Sequence, residues 1–165
     1  MIADFDGDIS TLLDTKVEGS IPILTTRNLV LFPGVITPIL IGRPASLNLV
    51  KKMQKNPKTT IAVFCQKNPD VETPRYDDLH SIGVYARLIR VMDMPGDRSE
   101  ITVILQALGK CHLESLDGVK PYYKGTTTSI EEVMPDFKSK EFISLMANLK
   151  STTVEYIKKN DDMPD

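Results

Sequence analysis

The chain has 165 residues, 41% of them hydrophobic and 25% charged, which suits one soluble globular domain with a short appended element. Its formal net charge of -2 excludes the basic excess of a nucleic-acid module and the polybasic anchor of a membrane-surface protein. No apolar run is long enough for a membrane span, and the N-terminus lacks the basic and apolar regions of a signal peptide, so a cytoplasmic location is expected. Two cysteines, Cys65 and Cys111, lie in apolar strand-like runs and are expected to be buried, reduced thiols.

Residues 1–18 carry Asp4, Asp6, Asp8, Asp14 and Glu18 against Lys16, and read as a flexible acidic tail. Ile21-Pro22-Ile23-Leu24 opens the ordered part as a short extended segment. Pro33-Gly34 fits the centre of a type II turn, and residues 35–41 follow as a strand. Pro38 places that strand at a sheet edge or bulge, because proline cannot donate to a ladder. Pro44 suits a first helical turn, and Ala45, Leu49 and Met53, with Leu47 and Val50, form one apolar stripe ended by Asn56-Pro57.

A β-branched run at 59–66 predicts a buried strand, and a long polar connection fills 67–81. Ile82, Val84, Ala86 and Leu88 alternate with Gly83, Tyr85 and Arg87, predicting one buried face. The parity then slips at Leu88-Ile89, which predicts a bulge. A turn at 94–98 leads into a strand with Ile101, Val103 and Leu105 inward, then Cys111 and Leu113 inward against Lys110, His112 and Glu114. One more strand is expected over 122–133. From Asp136 a helix of about 24 residues, roughly 35 Å long, aligns Phe142, Leu145, Met146, Leu149, Thr153, Tyr156 and Ile157. Such a stripe needs a partner, so residues 136–165 read as the truncated start of a helical region after a β-rich domain at 19–135.

Chemistry-bearing patterns fail one by one. Gly109-Lys110 is followed by Cys111 and lacks the earlier glycine of a phosphate loop, so no nucleotide cofactor is expected. Cys111 and His112 point to opposite strand faces, which argues against a metal site. Asp4, Asp6 and Asp8 miss a calcium loop, since Thr15 stands where the bidentate glutamate belongs. His80 and His112 read as surface histidines with no nucleophile tied to them, so no catalytic residue is assigned.

Ile21-Pro22-Ile23-Leu24 followed by Arg27-Asn28-Leu29-Val30-Leu31-Phe32-Pro33 resembles the opening of the Lon protease N-terminal domain. The resemblance continues through Ile41-Gly42-Arg43-Pro44-Ala45-Ser46, Val63-Phe64-Cys65-Gln66-Lys67, Ser81-Ile82-Gly83-Val84-Tyr85-Ala86 and Glu155-Tyr156-Ile157. Thr25-Thr26, Asn28, Ala107 and Lys110 depart from the usual family residues. The resemblance implies an α+β, mainly β, PUA-like pseudo-barrel with one packed helix and a long C-terminal helix. It also implies substrate recognition and assembly for a hexameric, ATP-dependent serine protease; the alternative is an oligomer-organising or stand-alone interaction module of the same PUA-like fold. The ATP and Mg of that enzyme would belong to an ATPase domain outside this chain, and its protein substrates would be unfolded or damaged.

Candidate substrate contacts are Phe32 beside its turn, and Met92, Met94 and Pro95 at the hairpin, where flexible thioethers suit varied partners. The competing reading puts Phe32 in the core and leaves the methionines to cap the sheet. Candidate assembly residues are Phe142, Leu145, Met146, Leu149, Tyr156 and Ile157. A small-molecule module would instead require a concave pocket with convergent polar groups.

Overall fold

The structure is a computed structural model that describes residues 17, 19–56, 58–93, 100–131, 133 and 135–159. The acidic tail, apart from Val17, and the turn at 94–98 lie outside the described residues. In chain order the elements are β1 (Ser20–Thr26), β2 (Ile36–Ile41), α1 (Pro44–Lys55), β3 (Ile61–Cys65), β4 (Ile82–Asp93), β5 (Ile101–Gly118), β6 (Tyr123–Ser129) and α2 (Lys140–Lys158). They divide into two compact units, residues 1–132 and 133–165.

In the first unit the sheet order is β2-β5-β4-β3-β1-β6, and β6 also pairs with β5. Strands β5, β4, β3, β1 and β6 therefore form a closed ring, with β2 attached outside it along the first half of β5. One strand can serve both halves because β5 runs 18 residues and its register with β4 shifts between Val84 and Ala86. Val84 stands opposite Lys110 but Ala86 opposite Ala107, so β5 holds one extra residue there. Such a bulge bends a strand and increases its twist, which carries the far end of β5 to β6. A second shift falls between Leu88 and Arg90, opposite Leu105 and Ile104, leaving Ile89 as the extra residue where the sequence parity slips.

The ring encloses Ile21, Ile23, Phe64, Tyr85, Leu113 and Tyr123, with Phe64 and Tyr85 fully buried. A second core lies on the other face, where Leu49, Val50 and Met53 of α1 meet Leu24, Val63, Ala86, Val103 and Leu105. Pro44 opens α1 as expected, and Asn56 ends it with its amide on the Lys52 and Met53 carbonyls. Ser46, more than Ala45, completes the buried stripe. Between β3 and β4 the connection includes a 3-10 turn, Tyr76–Asp78, and folds onto the strand end. Gln66 is buried and donates to the Asn68 and Val71 carbonyls, while Leu79 enters the ring core.

Several expectations change. Tyr85 is buried and Ile82 is 59% exposed, the reverse of the simple alternation in β4. The reason is that the middle of β4 is covered on both faces, by the ring interior and by the α1 core, while Ile82 begins the strand beyond that cover. Cys111 is buried as expected, but Cys65 at the end of β3 is only half-buried. The final strand stops at Ser129, short of 133. In the second unit the helix begins at Lys140, because Asp136 accepts the Lys138 amide in a turn and Ser139 caps the helix by accepting the Phe142 amide. Its 19 residues span about 28 Å, and none of them is buried.

Two backbone approaches leave no room for a side chain. A Cβ on Gly83 would strike the Val63 carbonyl oxygen and the Phe64 ring, and one on Gly125 would strike the Ser115 carbonyl oxygen. Gly83→Ala should destabilise the chain by roughly 1–3 kcal/mol or more by overpacking, measured as a lowered urea midpoint. The buried Tyr85 hydroxyl lies 3.0 Å from Thr127 Oγ1. Tyr85→Phe removes that partner, so a loss of about 1–2 kcal/mol is expected in the same measurement.

Candidate functional site

The segment between β1 and β2 is held at both ends. Asn28 takes φ 52°, a left-handed conformation that asparagine tolerates, and Thr26 Oγ1 donates to the Leu29 carbonyl at 2.6 Å. At the other end Pro33-Gly34 makes the expected turn: Gly34 has φ 80° and the Val35 amide reaches the Phe32 carbonyl at 3.2 Å. The Gly34 amide also bonds the Ala107 carbonyl at 3.1 Å, tying the turn to β5. Extended backbone sends neighbouring side chains to opposite sides. Leu31 accordingly enters the α1 core, while Val30 and Phe32 face out, 58% and 66% exposed. Phe32 is therefore a surface residue, which removes the reading that places it in the core.

Val30, Phe32 and Pro33 form one wall of a cleft of about 320 Å³, with Cys65, His80 and Ile82 also lining it. Three large apolar side chains, Val30, Phe32 and Ile82, thus stay exposed around one concavity. Sequence reasoning found Phe32 and missed Val30, Ile82, Cys65 and His80. The alternation in Leu29-Val30-Leu31-Phe32 could have indicated Val30; only the sheet could have brought Ile82 and His80 to it.

Other candidates stand apart from this cleft. Met92, at the end of β4 opposite Thr102, is 41% exposed and does not line it. Met94 and Pro95 lie outside the described residues. On α2, Leu145, Leu149, Tyr156 and Ile157 are exposed, while Phe142 and Met146 are partly covered. Phe142 packs edge-on against Phe137 at 5.1 Å.

The polar inventory is modest. Among the described residues no three His, Cys, Asp or Glu side chains come together as a metal site. His80 is exposed, and His112 Nδ1 sits 3.1 Å from Glu114 on a strand surface. No described helix is long and apolar enough to cross a membrane. A second cleft, about 410 Å³, adjoins the first and shares Thr26 and Leu29 with it. Arg43 lines this one; its Nη1 donates to Thr25 Oγ1 at 3.2 Å, while its buried Nη2 has no partner. Burial first, and then the neighbouring Arg27 charge, holds the Arg43 pKa below the usual arginine value.

The first unit is thus a small closed-sheet domain with an apolar cleft on its surface. Its sequence places it: residues 20–165 match the family described as the ATP-dependent protease La (LON) substrate-binding domain, and the chain belongs to that family. It is 40% identical over 154 residues to the Lon protease of Parabacteroides distasonis, covering 93% of this chain and 18% of that protein. It is 36% identical over 157 residues to the Lon protease of Flavobacterium johnsoniae, covering 95% and 19%. The chain thus spans less than a fifth of these relatives' length. The N-terminal domain of a Mycobacterium avium complex Lon protease shares the fold, with a TM-score of 0.65 at 16% identity over 86% of this chain and 69% of that one. A Lon N-terminal domain protein from Xanthomonas campestris matches with a TM-score of 0.61 at 14% identity, over 83% and 75%. These likenesses agree with the mainly β fold, one packed helix and a C-terminal helix.

The two cysteines should behave differently. Burial pushes the Cys111 thiol up to about 12, against an ordinary 9.0. At pH 8 its thiolate population is then roughly a thousandth of normal, and thiolate is the reactive form. Iodoacetamide should label the native chain once, at the cleft residue Cys65, and label Cys111 only after unfolding, with peptide mapping by mass spectrometry as the readout.

Proposed function

We propose that this chain captures unfolded or damaged polypeptides for an ATP-dependent Lon serine protease, with the Phe32 cleft as the contact surface. The observation that carries the reading is the ring of exposed apolar side chains, Val30, Phe32 and Ile82, around one concavity. Unfolded chains differ from folded ones chiefly in exposing apolar side chains, and a shallow apolar cleft takes many of them at low affinity. Several copies in a hexamer would convert weak single contacts into avidity. ATP hydrolysis with Mg and the Ser-Lys peptide cleavage are assigned to parts of the parent protein outside this chain, and the whole is expected to work in the cytoplasm.

Burying an exposed Phe against a partner is worth about 1–2 kcal/mol, or roughly 5- to 30-fold in affinity. Phe32→Ala should weaken binding of a reduced, carboxymethylated protein by that factor, measured by fluorescence anisotropy. Its urea midpoint should hold, since Phe32 contributes little to the core. Saturating unfolded protein should also slow Cys65 alkylation. Unchanged affinity in Phe32→Ala together with unprotected Cys65 would sink this site.

A second reading rests on α2, a helix with exposed Leu145, Leu149, Tyr156 and Ile157 and no buried residue. Here the stripe organises the oligomer by packing on another helix. Leu149→Glu should then lower the association state seen by sedimentation velocity while leaving binding of unfolded protein intact.

A further inference from the structure

The cleft beside Arg43 lies where the sheet is open. Strand β2 pairs only with β5 among the described strands, so its other edge is free. The Ala107 amide bonds the Val35 carbonyl at 2.9 Å. Antiparallel ladders alternate, so Thr37, Ile39 and Ile41 then face β5 with their main-chain groups. Ile36, Pro38 and Leu40 face away from it, which is why a proline is tolerated in the strand. Across the cleft, β1 pairs with β6 only from Ser20 to Ile23 and with β3 from Ile23 to Thr26. The Gln66 amide bonds the Thr26 carbonyl at 2.9 Å, so Thr26 faces β3 and Thr25 faces away. Thr25 and Thr26 line the cleft from one side, and Pro38, Ile39, Leu40 and Ile41 from the other.

From this geometry we infer that the gap between β1 and β2 receives an extended polypeptide, which adds to the free edge of β2 as a further strand. The inference rests on the reading that the domain binds unfolded chains, and it supplies the mode by which their backbone is held. Four features select that occupant. The outward amides of Ile36 and Leu40 and the carbonyls of Ile36, Pro38 and Leu40 match a main chain and are indifferent to side-chain identity. Arg43 lines the cleft and its buried Nη2 has no partner, so a rotation of the side chain on peptide entry would gain it a carbonyl acceptor. Glu100 also lines the cleft, yet the hydrogen bond Arg43 makes there goes to Thr25. Shared walls at Thr26 and Leu29 let one bound chain place an apolar side chain at Phe32 while its backbone follows β2. Pro38 limits the ladder to a few bonds, which keeps the edge from pairing with further copies of itself.

The test is amide hydrogen exchange by NMR on the 165-residue chain, free and saturated with a ten-residue Leu- and Phe-containing peptide that lacks structure in water. Insertion should slow exchange of the Ile36 and Leu40 amides at least tenfold. A peptide N-methylated at alternate residues should bind at least tenfold more weakly than its parent. Arg43→Met, which keeps the aliphatic stem and removes the donors, should lower affinity about fivefold with its circular dichroism unchanged. Shifts around Phe32 and protection of Cys65, without slowed exchange at Ile36 and Leu40, overturn the insertion and leave the apolar cleft standing. Absence of any peptide binding overturns both. The wild-type exchange data decide the matter even if Arg43→Met fails to fold.

Discussion

The bend in β5 is the constraint on which the rest of the first unit depends. One 18-residue strand has to pair with β2 and β4 at its start and with β6 at its end. A straight strand cannot do both, and the extra residue opposite Tyr85 supplies the turn in direction. Closing the ring at β6 buries Phe64, Tyr85 and Leu113 inside it, and the outer face of the same strands becomes the floor for α1. The middle of β3 and β4 is consequently apolar on both faces, which an antiparallel sheet with one wet side would not require.

The same closure creates the two clefts on which the proposals rest. Because β5 leaves β2 to reach β6, nothing among the described strands covers the far edge of β2, and the segment from Asn28 to Gly34 has to cross the opening between β1 and β2. Its two fixed turns let Leu31 fill the core and hold Val30 and Phe32 in water. An apolar cleft and an open strand edge thus arise side by side from one topological decision. The two are chemically complementary in what they offer: the cleft presents apolar side chains, and the edge presents main-chain donors and acceptors. A domain that has to accept many sequences gains from contacts of both kinds, since neither reads a particular motif.

Much of this architecture was legible in the chain. Pro38 announced an edge or a bulge, Pro33-Gly34 a type II turn, Pro44 a helix start, and the parity slip at Ile89 a bulge; each is a local backbone rule that acts within a few residues. Phe32 was legible as a candidate for the same reason, because it adjoins a turn. The bulge opposite Tyr85 was not, since its extra residue lies in an apolar run where inward and outward positions look alike. Nor was the start of α2: Asp136 is an acceptable cap in isolation, and only the competing turn with Lys138 hands that role to Ser139.

Family, element types and most turns could be read from the chain, because family blocks, proline, glycine and hydrophobic period are all features of neighbouring residues. Tertiary structure alone decided which apolar residues stay outside. Ile82, read as core, joined the cleft because it begins β4 beyond the cover of either core, and Cys65 and His80 joined it because β3 ends beside β4. Long-range pairing sets such exposure, and no local period encodes it. Arg43 shows the same division: the chain places it just before the proline that opens a helix, and only the fold buries its Nη2 beside a cleft without a partner.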